Sequence, residues 1–340
     1  MRLKPVSQQT IVITGASSGN GLAAARAAAA EGARLVLASR NGEALEKIAA
    51  ELEAKGAEVA ICVADVASDE QVEAIAATAV ERFGGFDSWV NNAAAAVFGT
   101  VSAMSMDEHR RVFDVNYFGL VKGSLVAAEH FRGKGGAIIN VGSVLSDRAM
   151  IDQGAYSASK HAVKAFTDSL RMELERDGAP VSVTLIKPSA IHTPYPDHAR
   201  NLMDEPARLP PLLYDPALVG EAVVFAAANP KRELYVGGTG YLISLTGRVA
   251  PRLTDMTMEA IGRPLQTTDE RPSPATYDNL FEPRADGAER GSQDVYYRKS
   301  SLFLEAQKRP ALTAALTGAL ALGGGLLAMA TRGGSRKRWR

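Results

Sequence analysis

A run of β-branched residues near the start of the 340-residue chain leads directly into a glycine-rich turn and then into an alanine-rich stretch. The run is Thr10–Thr14, the turn carries Gly15, Gly19 and Gly21, and the alanine-rich stretch covers about 22–31. β-Branched residues favour strands, and alanine favours helices. Glycines at such a turn let the backbone approach a pyrophosphate, whose charge is attracted to the helix N-terminus. The stretch therefore predicts a βαβ unit that binds a dinucleotide.

The rest of the chain repeats this alternation of apolar strands and helices. Further strands are predicted over Arg34–Ala38, Glu58–Val63, Asp87–Val90, Ala137–Val141, Val181–Ile186 and Glu233–Val236. Further helices are predicted over Glu43–Lys55, Asp69–Phe83, Asp107–Phe131, Tyr156–Arg176 and Asp215–Ala228. Apolar strands that alternate with helices predict a parallel sheet covered on both faces. The predicted class is therefore α/β, a doubly wound parallel sheet (Rossmann fold) with ligands at the carboxyl ends of its strands.

One tyrosine and one lysine have a spacing that suggests proton-transfer chemistry. Tyr156 and Lys160 are four residues apart in a predicted helix, so both side chains project from one face. An adjacent ammonium group favours the phenolate and lowers the pKa of the phenol from about 10 toward neutrality. Such a phenol exchanges a proton with an alcohol or carbonyl oxygen. Taken alone, a pair with this spacing is more often an exposed tyrosine and a solvated lysine on a helix surface, so the rest of the chain must decide.

The composition excludes several classes of function. Lys+Arg and Asp+Glu both number 38, which gives no basic surplus for nucleic-acid binding. The single cysteine, Cys62, excludes an internal disulfide and a multi-cysteine metal site, and the five histidines show no metal-ligand spacing, so we expect no metal. Residues 1–10 contain no apolar signal segment, so the catalytic domain is expected to be cytoplasmic.

Several motifs in order along the chain resemble those of the short-chain dehydrogenase/reductase family in its common single-domain form. They are TGASSGNG at 14–21, Asn91–Ala94, Asn116, Ser143 and YSASK at 156–160. The resemblance covers about Gln9–Val236, some two thirds of the chain. It implies hydride transfer between a nicotinamide cofactor and a carbonyl or alcohol.

The resemblance also implies catalytic roles for four residues. Tyr156 is expected to be the general acid/base, and Lys160 to lower the pKa of Tyr156 and to hold the nicotinamide ribose. Ser143 is expected to orient the substrate oxygen. Asn116 is expected to hold a water molecule that links Lys160 to solvent.

A cofactor site follows from the same resemblance. Asp65 is expected to receive the adenine amino group, with Val66 beside it, while Asn92 and Ala93 line the cofactor near its ribose. The predicted cofactor-binding residues are Gly15, Ser17, Ser18, Gly19, Asn20, Gly21, Ser39, Arg40, Asp65, Val66, Asn92, Ala93, Tyr156, Lys160, Pro188 and Thr193.

The loops near the nicotinamide end depart from the family pattern at two positions. Ala94, and Ser189 after Pro188, stand where the family usually has glycine. Both residues are small, so we expect the pocket to be kept with slightly altered loop geometry. Thr193 matches the position that contacts the nicotinamide carboxamide, although local backbone bonding is the alternative for a loop threonine. His192 is a candidate for the border of the substrate pocket.

The residues after the second predicted strand favour NADP(H) over NAD(H). An NAD site uses a carboxylate there, about 20 residues past the glycine turn, to bind the ribose hydroxyls. This chain has Ser39 and Arg40 at that point, and Arg40 can pair with a 2′-phosphate. Glu43 is nearby, but an acid in the first turn of a helix more simply serves the helix dipole.

The chain is predicted to have three parts, with boundaries at 262 and 308. Residues 1–262 form the catalytic domain. In it, the resemblance implies a substrate lid over the Pro-rich, partly apolar stretch 193–211, and 237–240 is expected to be a turn. Residues 263–308 read as an extended or partly disordered linker with a short helix near its end. Residues 309–340 carry an uncharged, hydrophobic helix over 311–331, followed by five basic residues. That length spans a bilayer, so we expect membrane attachment, with packing in a dimer interface as the alternative.

These features predict an NADP(H)-dependent oxidoreductase that acts on the carbonyl or secondary alcohol of a hydrophobic small molecule. We expect a homo-oligomer, no nucleic-acid partner, and a cytoplasmic catalytic domain held at a membrane. The alternative is a membrane-tethered, non-catalytic NADP(H)-binding scaffold, which would have no need of Ser143 or of the Tyr156 hydroxyl.

Overall fold

The computed structural model describes residues 2–269, 278–284, 287–311 and 313 and contains a seven-stranded parallel sheet. In chain order, the strands are β1 Thr10–Thr14, β2 Arg34–Ser39, β3 Val59–Val63, β4 Ser88–Asn91, β5 Val97–Phe98, β6 Gly136–Val141, β7 Val181–Pro188, β8 Arg200–Asn201, β9 Leu213–Tyr214, β10 Glu233–Val236 and β11 Tyr297–Arg298. The main sheet has the order β10-β7-β6-β4-β1-β2-β3. Every pairing in it is parallel, which confirms the predicted doubly wound fold.

Helices cover both faces of the sheet. They are α1 Gly19–Ala30, α2 Gly42–Glu53, α3 Asp69–Phe83, α4 Met106–Phe113, α5 Gly119–Phe131, α6 Gly154–Arg176, α7 Tyr195–His198, α8 Ala217–Ala228, α9 Gly238–Val249, α10 Pro251–Ile261 and α11 Leu302–Lys308. Leu22, Leu45 and Val219 place α1, α2 and α8 in one buried apolar cluster. Ile75 and Leu170 place α3 and α6 in a second cluster on the opposite face.

Two regions differ from their predicted secondary structure. The helix predicted over 107–131 is two helices, α4 and α5, joined by a π-helical turn at Asp114–Phe118. Such a turn inserts an extra residue into the helical repeat and is common at functional sites. The glycine-rich stretch 237–240 is more than a turn, because only Gly237 has a left-handed φ, of 102°, and α9 begins at Gly238.

The described residues after 262 pack against the catalytic domain. Leu280 is fully buried, and Leu304 of α11 belongs to the apolar cluster that contains α1 and α8. Strand β11 pairs in parallel with β9. The segment predicted as a linker thus returns, in its described part, to the carboxyl ends of the central strands.

The hydrophobic segment 311–331 lies outside the described residues, apart from 311 and 313. The five basic residues that follow it lie outside them too. Within the part of the chain that is described, no helix is both long and apolar enough to cross a membrane.

Candidate active site

The turn between β1 and α1 is built around close backbone contacts. Gly15 and Gly19 have φ values of 64° and 51°, which glycine adopts without strain. A Cβ at Gly21 would lie 2.0 Å from the carbonyl oxygen of Gly15, so no larger residue fits there. The side chain of Asn92 donates to the carbonyl oxygens of Thr14 and Gly15, both at 3.1 Å. Asn92 therefore braces the turn from the neighbouring β4.

A cleft runs along the carboxyl ends of β1 to β4, beside this turn. Its walls include the predicted cofactor residues Gly15, Ser17, Ser18, Gly19, Asn20, Ser39, Arg40, Asp65, Val66, Asn92, Ala93 and Thr193. The predicted residues Gly21, Tyr156, Lys160 and Pro188 are not among its lining residues. The glycine turn supplies backbone N–H groups at the start of α1, so the cleft fits the pyrophosphate of a dinucleotide.

Arg40, Asp65 and Arg111 lie together at the end of the cleft beside β2 and β3. Asp65 forms a 2.6 Å ion pair with Arg111 of α4 and accepts a hydrogen bond from the Ala67 N–H. Burial acts to raise the pKa of Asp65, but these hydrogen bonds outweigh burial and hold that pKa below its usual value. Arg40 is half-buried at the end of β2 and donates from Nη1 to the Phe281 carbonyl oxygen at 2.8 Å. Both carboxylate oxygens of Asp65 thus already accept hydrogen bonds from protein groups, one from the Ala67 N–H and one from Arg111.

Tyr156 lies near the start of α6, beside Ser143. Burial raises the pKa of Tyr156 to about 12, and a hydrogen bond with Ser143 acts in the opposite direction. The Ser143 Oγ atom accepts from the Leu145 N–H at 3.0 Å, so its own hydrogen is available for the bond with Tyr156. The protein groups therefore keep Tyr156 in its acid form at neutral pH, with Ser143 next to it.

Lys160 is buried one helical turn after Tyr156. Its Nζ atom donates to the Val141 carbonyl oxygen at 2.8 Å and lies 5.7 Å from the centre of the Tyr156 ring. Burial lowers the pKa of Lys160 to about 8. The net shift of the Tyr156 pKa is therefore upward, opposite to the expected lowering, because burial of the phenol dominates it. Sequence spacing alone does not show how far a side chain is buried.

Asn116 lies in the π-helical turn, and protein groups use both ends of its amide. Oδ1 accepts from the Ala95 N–H at 2.7 Å, while Nδ2 donates to the Ala95 carbonyl at 2.9 Å and to Ser159 Oγ at 3.0 Å. The residue thus ties the loop after β4 to the helix that carries Tyr156 and Lys160. The side chain of Asn116 is committed to these bonds.

Tyr195 is part of this site and was not predicted from the sequence. Its ring stands edge-on to Tyr156, with 5.5 Å between the ring centres, and packs similarly on Phe98 at 5.7 Å. Its hydroxyl donates to Gln153 Oε1 at 2.8 Å. Gln153 in turn donates to Gln266, which is fully buried. Tyr195 gives no sequence signal, because its role depends on where its loop folds.

His192 and Thr193 point to different surroundings. The ring of His192 stacks on Tyr297 with 4.7 Å between centres, and its Nε2 atom lies 3.0 Å from the Gln293 carbonyl oxygen. Thr193 lines the cleft, opposite Gly19. His192 therefore packs under the C-terminal segment and is not among the lining residues of the cleft.

A buried charge cluster lies behind the Ser143 loop and was also not predicted. The ammonium of Lys187, at the end of β7, is 3.1 Å from Asp147 and 3.0 Å from Glu233. Tyr235 donates its hydroxyl hydrogen to Asp147 at 2.8 Å. Asp147 follows the short helical turn 144–146, so the cluster anchors the loop that presents Ser143.

A doubly wound parallel sheet with a glycine turn after its first strand defines a dinucleotide-binding α/β protein. A family model described as short chain dehydrogenase matches residues 9–203. Uncharacterized oxidoreductase YxnA of Bacillus subtilis (strain 168) is 43% identical over 323 residues, which cover 94% of this chain and 91% of that protein. The chain belongs to the short-chain dehydrogenase/reductase family and is an oxidoreductase.

Two solved structures are similar in fold. A short chain dehydrogenase/reductase from Burkholderia phymatum in complex with NAD has a TM-score of 0.64 and 28% identity, covering 80% of this chain and 100% of that chain. An alcohol dehydrogenase from Thermococcus sibiricus in complex with 5-hydroxy-NADP has a TM-score of 0.59 and 26% identity, covering 78% of this chain and 99% of that chain. The ligands bound in these two structures are nicotinamide dinucleotides, and a nicotinamide cofactor fits the glycine-lined cleft here.

Proposed function

We propose that this protein transfers a hydride between NADP(H) and the carbonyl or secondary alcohol of a hydrophobic small molecule, with Tyr156 as the general acid/base. The observation that carries the proposal is the hydrogen-bonded pair of Ser143 and Tyr156, with Lys160 one helical turn away. A half-buried phenol that has a hydroxyl neighbour matches the need for a proton donor at a carbonyl oxygen.

Ser143, Tyr156 and Lys160 each have a separate role in carbonyl reduction. A nicotinamide held in the cleft would supply the hydride to the carbonyl carbon. Ser143 turns its hydroxyl hydrogen from Tyr156 to the substrate oxygen and fixes the position of that oxygen. Tyr156 is protonated at neutral pH because its pKa is raised to about 12, and it gives its proton to the substrate oxygen as the alcohol forms. Lys160 carries charge close to the phenolate that remains, which stabilises it.

The cofactor preference is proposed to be NADP(H), with Arg40 binding the 2′-phosphate. Arg40 lines the cleft at the end of β2, next to Ser39. We expect Arg40→Ala to weaken NADPH binding by about 10- to 100-fold, because a charge-assisted contact contributes about 1.5–3 kcal/mol. NADH binding should change little. Fluorescence titration of both nucleotides checks this, and unchanged NADPH affinity would exclude Arg40 from the phosphate site.

A hydrophobic substrate is supported by the apolar side chains around Tyr156. Ala96, Phe98 and Ala199 form a buried cluster against which Tyr156 and Tyr195 pack. Apolar walls with few polar groups are typical of sites for apolar ligands. The cluster lies next to the Tyr156 ring, where the reacting oxygen would bind.

The decisive experiment follows NADPH absorbance with a panel of acetophenone, 2-decanone and cyclohexanone and, with NADP⁺, their alcohols. Wild-type protein should turn over at least one pair, and Tyr156→Phe should lower kcat by about 10²-fold or more. Tyr296→Phe is the matched control, because the Tyr296 side chain is 85% exposed. Equal turnover by wild type and Tyr156→Phe would refute the assignment.

From the sequence, we further propose that 311–331 attaches a cytoplasmic catalytic domain to a membrane. The full chain should pellet with membranes in carbonate, and a chain ending at Lys308 should not.

We also propose a homo-oligomer, which is supported by exposed apolar side chains on α9 and α10 such as Val249 (72%) and Leu253 (66%). Light scattering after size-exclusion chromatography measures the mass directly.

A further inference from the structure

Residues 278–284, which we call the strap, enter the end of the cofactor cleft beside β2 and β3 from the C-terminal part of the chain. Asn279, Pro283 and Arg284 of the strap are cleft-lining residues, together with Ser39 and Arg40 of the catalytic domain. The family model ends at residue 203, so the strap lies beyond the matched region.

The strap is fixed at one end by one buried side chain and two polar contacts. Leu280 is fully buried in the apolar cluster that contains α3 and α6. Asp278 forms a 2.8 Å ion pair with Arg200, and the Asn279 N–H donates to the His198 carbonyl oxygen at 2.8 Å. Burial of a leucine contributes about 1.5–3 kcal/mol, so Leu280 is the main anchor.

Three consecutive strap carbonyls then accept hydrogen bonds from two arginines of the catalytic domain. Arg40 donates from Nη2 to the Asn279 carbonyl and from Nη1 to the Phe281 carbonyl, the latter at 2.8 Å. Between them, the Leu280 carbonyl accepts from Arg111 Nε at 2.9 Å. Arg111 is itself held by its ion pair with Asp65. The guanidinium of Arg40 therefore has one defined orientation, although it lies at the mouth of the cleft.

We infer that the strap positions Arg40 for the ribose 2′-phosphate and so sets the discrimination between NADPH and NADH. The inference rests on the proposed role of Arg40. A guanidinium has five N–H donors, and the strap uses two, which leaves donors for a phosphate. Ordering a long side chain on binding weakens affinity, and a guanidinium that is already ordered avoids this loss. Asn279, Leu280 and Phe281 thus act as positioning residues through their backbone.

The test compares Leu280→Ala with the conservative Leu280→Met in the full-length protein. Dissociation constants for NADPH and for NADH are measured by fluorescence titration. Leu280→Ala should weaken NADPH binding by about 3- to 10-fold and change NADH binding by less than about 2-fold. Leu280→Met should keep the wild-type ratio of NADPH affinity to NADH affinity. If Leu280→Ala weakens the binding of both nucleotides equally, the strap only forms a wall of the site and the inference is wrong.

A double-mutant cycle separates this inference from the proposed function. In protein that already carries Arg40→Ala, adding Leu280→Ala should not change the ratio of NADPH affinity to NADH affinity any further. If Arg40→Ala alone lowers the ratio but Leu280→Ala does not, the inference fails while the proposed cofactor preference stands. If Arg40→Ala leaves the ratio unchanged, both fail. Asp278→Asn replaces Leu280→Ala if the latter does not fold, and Tyr296→Ala, at an exposed side chain farther along, should leave the ratio unchanged.

Discussion

The ammonium nitrogen of Lys160 lies 2.8 Å from the carbonyl oxygen of Val141 and donates a hydrogen bond to it. The side chain is 2% exposed, and burial lowers the pKa of Lys160 to about 8. One neutral carbonyl is a weak partner for a buried charge. The charged form of Lys160 therefore costs stability in the folded, cofactor-free protein.

This cost predicts a contribution of Lys160 to the pH dependence of stability, which the difference between wild type and Lys160→Met isolates. Below about pH 8 both folded and unfolded chains hold the proton, and the full cost is present. Between about pH 8 and pH 10.5 the unfolded chain binds more protons, so the free energy of unfolding rises with pH. The rise should be about 3 kcal/mol, at about 1.4 kcal/mol per pKa unit. Urea unfolding should show it in wild type but not in Lys160→Met, and parallel pH profiles would contradict it.

Tyr195→Phe should lower stability while it keeps the wall of the site. The substitution removes the hydroxyl that donates to Gln153 but leaves the ring edge-on to Tyr156. An unsatisfied buried acceptor costs about 1–3 kcal/mol, so we expect a loss of that size in urea unfolding. Tyr296→Phe serves as the control, and unchanged stability of Tyr195→Phe would show that the Gln153 oxygen finds another donor.

Gly21→Ala should abolish cofactor binding. Its Cβ would lie 2.0 Å from the Gly15 oxygen and 2.6 Å from Asn92 Nδ2, so the turn must open. Gly238→Ala is the control, because its Cβ would meet nothing nearer than 3.5 Å. Isothermal calorimetry with NADPH measures both variants. Wild-type affinity in Gly21→Ala would mean that the turn is not the pyrophosphate site.

Lys187→Met should destabilise the protein by about 3–5 kcal/mol. The substitution keeps the volume of the side chain but leaves Asp147, whose side chain is 1% exposed, without its lysine partner. Thermal and urea unfolding measure the loss. Lys122→Met, at a surface ion pair, is the control and should unfold almost as wild type does. Equal stability of the two variants would show that Tyr235 and Arg248 suffice to hold the Asp147 carboxylate.

Some elements followed directly from local sequence. The observed bounds of α3, Asp69–Phe83, match the prediction because Ser68 caps its start and Gly84 adopts a left-handed conformation after its end. Asn41 likewise caps α2, through a 2.9 Å bond from the Ala44 N–H. Helix caps and terminating glycines depend on two or three neighbouring residues, so they can be predicted from the sequence.

Other features depend on contacts between distant parts of the chain. The strap binds Arg40 and Arg111 through backbone carbonyls, which leave no pattern in the side chains of a polar stretch. The π-helical turn around Asn116 depends on how α4 and α5 pack. The pKa of Tyr156 depends on burial rather than on its four-residue spacing from Lys160, so the spacing gave the wrong direction.

The central claim, that Tyr156 gives the proton while the nicotinamide gives the hydride, is tested most directly in one turnover. NADPH with deuterium at the transferred C4 position is mixed with excess wild-type protein and the ketone found in the panel. Mass spectrometry should find deuterium on the product carbinol carbon. In Tyr156→Phe the rate of deuterium incorporation into the product should fall about 10²-fold or more. Calorimetry should show that Tyr156→Phe binds NADPH within about 3-fold of the wild-type affinity. Equal deuterium incorporation in Tyr156→Phe would contradict the account.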